Sequence, residues 1–365
     1  MNRLIIIGNG FDLAHKIKTS FKDFIADYFK KSINTFFEDE VYKDLLIEIK
    51  YKTSNRIFNP KPANVNCDNV FEKAEWLFNS KDVEFKFRSA LLEKVYKKIR
   101  ELNWVDLEIE FFNVLTASKH ASKITNQAGA IEKINLELEF LKDKLIIYLL
   151  SQENALIKFK PSESLISCFC EKISKDEIVT TVLKEDQFPE NLYFLNFNYT
   201  NTIERYVKNC SKNIPTQLNY IHGNLSHSQG SPIFGFGDEF NKKYLEFENE
   251  KNNELFKHIK SFEYLKTKNY YSLIRFTEAN DFQVHIYGHS CGISDRTMLN
   301  QVFEHKNCKS IKIFYHEIGG KFNDFTEKTY EISRHFKDKG VLRKKLVPFE
   351  LTREMPQPLI NLNVN

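Results

Sequence analysis

The chain has 365 residues, 42% of them apolar and 14% aromatic, which is material for one large core or two ordinary ones. The net charge of +4 is small and the charges are interspersed, which argues against a dominant nucleic-acid surface and leaves room only for a local patch. With 12 glycines and 9 prolines the chain lacks the composition of long disordered linkers. No apolar run approaches the roughly 20 residues of a membrane helix.

Leu4-Ile5-Ile6-Ile7 is a short, wholly apolar run, the pattern of a strand buried on both faces. Gly8-Asn9-Gly10 breaks it, and Phe11-Asp12-Leu13-Ala14-His15 reads as a helix start. A strand, a two-glycine turn and a helix form the opening unit of a nucleotide-binding α/β fold. The full dinucleotide fingerprint carries a third glycine, and Leu13 stands there. A tight turn without a ligand is the competing reading. Residues 13–30 and 33–52 carry helical patterns, and Thr19 or Ser20 is placed to cap the stretch from Phe21 to Tyr28. Residues 51–69, rich in Asn and Pro, read as a loop.

From about 70 to 185 the pattern is helical almost throughout. Leu92, Val95, Ile99 and Leu102 recur at three and four, as do Ile131, Ile134, Leu138, Leu141, Leu145 and Tyr148. This predicts an all-helical insertion packed as a bundle. Within it, Trp104, Leu107, Phe111 and Leu115 share a helical face with Glu108, whereas Asp106 and Glu110 fall on the outer side. An acid in an aromatic stripe meets a cation, rises in pKa or points into a cavity, so Glu108 is a candidate site acid.

After 190 strand patterns return: Leu192–Phe197, Leu218–Gly223, Pro232–Asp238, Gln283–Gly288 and Lys309–Tyr315, with helices expected over 241–277, 295–306 and 321–338. The expected fold is α/β, a parallel sheet covered by helices, with the large helical insertion between its first and second strands. The expected domains are 1–30 with 190–340 as the nucleotide-binding core, 31–189 as the insertion and 341–365 as a C-terminal tail.

Ligands of such sheets bind beyond the carboxyl ends of the strands. Those ends here are Gly8 to Asp12, Asn196 to Tyr199, His222-Gly223, Gly237-Asp238 and Gly288-His289-Ser290. Asn198 is either a helix cap or a carboxamide that holds a ribose hydroxyl or a water. His222, beside a glycine that clears space, is either a satisfied structural histidine or a general acid/base. His289 is placed to touch a ligand, and His285 alternates within a strand as packing. Asp295 either caps the helix that follows or accepts from a ribose. The six cysteines are scattered and no signal-like segment precedes them, so reduced thiols in a cytoplasmic protein are expected. Cys168 and Cys170 are the only close pair, and no metal site is expected.

Together the segments LIIIGNGFDLAH (4–15), Trp104 to Glu110, FLNFNYTNTIE (194–204), IHGN (221–224), IFGFGDE (233–239) and IYGHSCGISDRTML (286–299) resemble the abortive-infection AbiH family of bacterial phage-defence proteins. More distantly, their order is similar to the sirtuin-like, Rossmann-like fold. That resemblance lays a phosphate-binding turn on Gly8-Asn9-Gly10 with Phe11 and Asp12, a ribose-binding motif on Asn198-Tyr199-Thr200, a catalytic His-Gly on His222-Gly223, and an adenosine-side turn on Gly288-His289-Ser290. Asn9 stands in place of a small Ala, Asp12 in place of Ser, and Thr200 in place of the Asp near nicotinamide.

The resemblance implies an antiphage effector that hydrolyses NAD at the nicotinamide–ribose bond, with Asn198 and His222 catalytic. Gly8, Asn9, Gly10, Phe11, Asp12, Gly223, Gly288, His289, Ser290 and Asp295 would bind the dinucleotide. NAD is then substrate and no metal is required. The alternatives are a nucleotide- or ADP-ribose-binding sensor without turnover, and another nucleotide hydrolase or nuclease. Expected partners are NAD or a related nucleotide, a second copy of the chain or a phage-derived trigger, with neither membrane nor nucleic acid among them.

Overall fold

The structure, a computed structural model, describes residues 1–52, 65–102, 106–120, 127–155, 159–320 and 322–358. The chain divides into two compact units, one of Met1–Ile17, Leu149–Asn249 and Ile259–Asn365, the other of Lys18–Tyr148 and Glu250–His258.

The first unit is built on six strands: β1 (Asn2–Ile7), β2 (Leu192–Asn196), β3 (Thr216–Tyr220), β4 (Phe282–Tyr287), β5 (Cys308–Tyr315) and β6 (Arg353–Glu354). Every neighbouring pair is parallel, in the order β6-β5-β4-β1-β2-β3. β1 lies at the centre, with Ile7 opposite Asn196 on one side and Tyr287 on the other. Its apolar run is divided between two cores. Leu4 and Ile6 pack with Leu195, Val284, Ile286 and Ile313 on one face, and Ile5 and Ile7 with Phe194, Tyr287 and Phe314 on the other. Period-two alternation of an all-apolar strand can bury both faces only if helices cover both.

Two expectations for this unit need correction. Pro232–Asp238 does not join the sheet. Pro232, Gly235 and Gly237 suit a looping segment better than a central strand. It laces the strand ends together, with Ile233 N donating to His222 O (2.8 Å), Lys260 N to Phe236 O (2.9 Å) and Thr297 N to Gly237 O (2.9 Å). Nor is 341–365 a mere tail. Residues 353–354 form the edge strand β6. Lys345 is buried and its ammonium donates to the carbonyls of Phe303 (2.9 Å) and His305 (2.7 Å), satisfying the end of the helix Arg296–Phe303.

The second unit contains helices Phe21–Asp39, Val70–Phe78, Ala90–Leu102 and Leu107–His120 and most of Gln127–Ala155. The predicted stripe on the last is realised, since Ile131, Ile134, Leu138, Leu141, Leu145 and Tyr148 are all buried. The segment is not all-helical, however. Val41–Lys43, Ile47–Tyr51 and Val83–Phe87 form a three-stranded antiparallel sheet. I-E-I-K-Y and V-E-F-K-F alternate with period two, burying Ile47, Ile49, Val83 and Phe85 and turning the charges outward. The preceding helix stops at Glu40, whose φ of 64° is left-handed. No described helix is long and apolar enough to cross a membrane.

Candidate functional site

The carboxyl ends of β1, β2, β3 and β4 bring most of the predicted residues into one unit. The turn after β1 and the turn after β4 are packed directly together. Gly10 N donates to Gly288 O (2.7 Å), and Gly8 N to Tyr287 O (3.1 Å). Gly288 has φ +65°, and a Cβ there would stand 2.1 Å from Phe11 N, so no other residue fits. The glycines thus serve the approach of two chain segments to each other. Because Phe11 N also donates to Gly8 O (2.9 Å), the amides of Gly8, Gly10 and Phe11 are all committed to backbone. The expected open phosphate cradle is not formed by these three amides. Gly223 follows the same logic: it has φ +74°, and the space beside it is filled by the Ser231 carbonyl, 2.4 Å from where a Cβ would sit.

Asn198 ties β2 to this turn. Its Nδ2 donates to Gly8 O (3.0 Å), and its own amide donates to Asn196 Oδ1 (3.1 Å). Asp12 lies beneath, 1% exposed. It accepts from the Thr200 hydroxyl through Oδ2, and its Oδ1 has no hydrogen-bond partner among the described residues. Burial raises its pKa to about 6, against the opposing hydrogen bonds of Thr200, Thr202 and Asn198.

His222, two residues beyond β3, is buried. Its Nε2 lies 3.1 Å from Tyr264 Oη and 3.4 Å from Asp295 Oδ1, and its ring also hydrogen-bonds to the Phe197 backbone. His289 is buried beyond β4 and accepts from Cys291 N at Nδ1 (2.9 Å). That bond leaves the proton of the neutral ring on Nε2, 3.7 Å from Asp295 Oδ2. Phe197 separates the two imidazoles, its centroid 5.1 Å from His222 and 4.2 Å from His289. Burial lowers both histidine pKa values, that of His289 to about 4, so both rings are neutral near pH 7.

Asp295 does not cap the helix after it with its side chain. Its carboxylate receives Lys260 Nζ at 2.7 Å, and Lys260 is 1% exposed. Burial opposes ionisation of Asp295, but Lys260, His222 and His289 outweigh it and hold the carboxyl well below its usual range. Lys260 and Tyr264 were missed in the sequence. They sit in an apolar-polar helical stretch, and only folding carries them to β3 and β4. No local pattern marks them.

A cavity of about 630 Å³ opens beside the paired turns, lined by Gly10, Gly288, Ser290, Phe314, Met355 and others at the ends of β1, β4, β5 and β6. Neither Asn198 nor His222 is among its walls. Gly237 packs against the Ser294 carbonyl and the Lys260 side chain, and Asp238 is buried 3.5 Å from Arg296, outside this cavity's walls. Glu108 belongs to the second unit, where it is buried on helix Leu107–His120. Its neighbour Glu110, expected outside, is also buried and paired with Lys98 at 2.5 Å. Trp104 and Val105, part of the same stretch, lie outside the described residues. Among the described residues no group of three or more His, Cys, Asp or Glu could hold a metal ion.

No curated protein and no solved structure matches the chain. A family model described as "Bacteriophage abortive infection AbiH" matches residues 4–317, a span that takes in most of β1, all of β2 to β5 and every site residue expected from the sequence. The chain belongs to the bacteriophage abortive infection AbiH family.

Proposed function

We propose that this abortive-infection protein binds an NAD-type dinucleotide along the carboxyl edge of its sheet and hydrolyses the nicotinamide–ribose bond. In chain order the strands run 3-2-1-4-5-6 across the sheet, the order of Rossmann-like dinucleotide folds, whose ligands lie where the order reverses. Here the reversal falls between β1 and β4, where the turns pack together and the cavity opens. The observation that carries the reading is His222, a neutral buried imidazole with a hydroxyl and a carboxylate at the same ring nitrogen.

Its chemistry is that of a general base. The nicotinamide leaves with the bonding electrons and neutralises its own pyridinium charge, so it needs no acid. An oxocarbenium-like ribose remains, and water adds to it. His222 would take the water proton at the ring nitrogen left unprotonated in its neutral form, and Asp295 would stabilise the imidazolium formed. Asn198, fixed to the Gly8 carbonyl, would orient the ribose or the water. The products are ADP-ribose, nicotinamide and a proton.

The test is nicotinamide release from NAD by the full chain, purified and also assayed in infected cells. Asn198→Ala and His222→Ala should each lower it by roughly 10²-fold or more. Release that survives both substitutions, or no release with no NAD binding, overturns the proposal. A second reading is a nucleotide-binding sensor without turnover. Thr200, which stands where the resemblance expects the Asp near nicotinamide, favours it. Saturable NAD or ADP-ribose binding by calorimetry without nicotinamide release selects it.

A further inference from the structure

A second hollow, of about 580 Å³, lies on the first unit around Asp238, Ile293 and Phe336. Its remaining walls include Lys242, Lys243, Arg296, Arg334 and Lys339, so that five cations face one carboxylate. We propose that this hollow binds the phosphodiester backbone of a nucleic acid.

The cations do not come from one basic run. They are contributed by helices Lys242–Glu248, Arg296–Phe303, Phe325–Arg334 and Lys339–Lys345, so the fold itself gathers them. Gathering like charges costs stability unless a partner of opposite charge relieves it. The local acids do little of this. Asp238 is buried against Arg296 at 3.5 Å, and Glu331 pairs with Arg334. No carboxylate among the described residues pairs with Lys242, Lys243 or Lys339. The Lys339 ammonium donates to the carbonyls of Ser333 and Phe336, which fixes its place without neutralising it.

Phe240 adds a sixth cation. Its exposed ring has the Arg296 guanidinium 5.3 Å from its centroid and the Lys337 ammonium at 5.2 Å. This ring holds two charges, one of them the Arg296 that lines the hollow. A single phosphate is usually held by an enclosed set of donors, whereas a row of phosphates is met by cations spread over a surface. Cations drawn from four separate helices fit the row.

The reading is independent of NAD hydrolysis, and its test avoids Arg334, which also lines the larger cavity. Binding of short fluorescein-labelled single-stranded DNA and RNA to the full chain is followed by anisotropy at stepped salt. Log affinity should fall linearly with log salt. The exposed pair Lys242→Glu/Lys243→Glu should weaken binding by roughly tenfold or more and flatten the slope by about one for each lysine lost. The single reversals should show half the slope change, which covers the case of a pair variant that does not fold. Lys94→Glu/Lys97→Glu on the helix Ala90–Leu102 should leave binding unchanged. An affinity insensitive to the Lys242 and Lys243 reversals overturns the proposal. So does the absence of oligonucleotide binding at low salt, with or without saturable binding of inorganic phosphate or AMP.

Discussion

Asp12 and Asp295 follow adjacent strands of one sheet, and both carboxylates are largely withdrawn from water, Asp12 being 1% exposed and the Asp295 side chain 12%. They titrate in opposite directions. Among the described residues Asp12 has hydroxyl and amide neighbours, an Oδ1 without a hydrogen-bond partner and no cation beside it, and burial carries its pKa up to about 6. Asp295 has the Lys260 ammonium at 2.7 Å and two imidazoles, and its carboxyl is held well below the usual range. Burial pushes both carboxyls upward, and the cation beside Asp295 reverses the sign there. One edge of the sheet therefore offers an acid that keeps its proton up to about pH 6 beside the Asn198 turn, and a fixed anion beside His222.

The strongest way to break this contrast is Lys260→Met. The ion pair is nearly dry, so removing one partner strands the other, at a cost of about 3–5 kcal/mol. Urea denaturation of the full chain should show that loss. Adding Asp295→Leu to Lys260→Met should recover a large part of it, because no charge is then left buried. A cost for Lys260→Met below about 1 kcal/mol would mean that the ammonium does not set the charge of Asp295.

The next prediction concerns pH. A carboxyl raised from 3.8 to about 6 on folding favours the folded state fully only below pH 3.8 and loses that contribution as pH rises through about 6. The shift corresponds to about 3 kcal/mol. Asp12→Asn should remove this dependence, so the stability difference between variant and wild type should grow in the variant's favour from pH 4 to 7. The difference is the proper measure, because His289, lowered from 6.5 to about 4, acts in the opposite sense. Its contribution is present above 6.5 and is lost as pH falls through about 4. A flat difference curve would show that Asp12 ionises normally and that the two aspartates are alike.

Little of this contrast was legible beforehand, and the reason is physical. The apolar run of β1 announces a strand buried on both faces, because no other placement hides four consecutive branched residues. Asn198 and His222 stand out because strand ends are where such sheets bind ligands. What those side chains touch depends on partners far away in sequence. Thr200 reaches Asp12 across 188 residues, and Lys260 reaches Asp295 across 35. The glycines misled in the same way. G-x-G and H-G patterns read as room for a ligand, yet at Gly288 and Gly223 the room is taken by the chain itself. Short alternating strands such as Ile47–Tyr51 were absorbed into neighbouring helical patterns, since five residues decide weakly between two periods.

The smallest expected effect sharpens the contrast most directly. Thr200→Val keeps the shape of the side chain and deletes the hydroxyl that donates to Asp12. A hydrogen bond to a charged acceptor favours the ionised form, so its loss should push the Asp12 carboxyl higher still. Stability should fall by about 2 kcal/mol above pH 7, where the carboxylate is left under-solvated. Near pH 4 the loss should shrink, because a protonated carboxyl demands less of its neighbours. The Asp12→Asn background should erase this pH dependence, which ties the effect to the one carboxyl. If Thr200→Val costs the same at pH 4 and pH 8, the hydroxyl merely packs. Burial, with nothing of opposite sign nearby, would then be the whole reason that Asp12 gives up its proton only near pH 6 while Asp295 is ionised far below that.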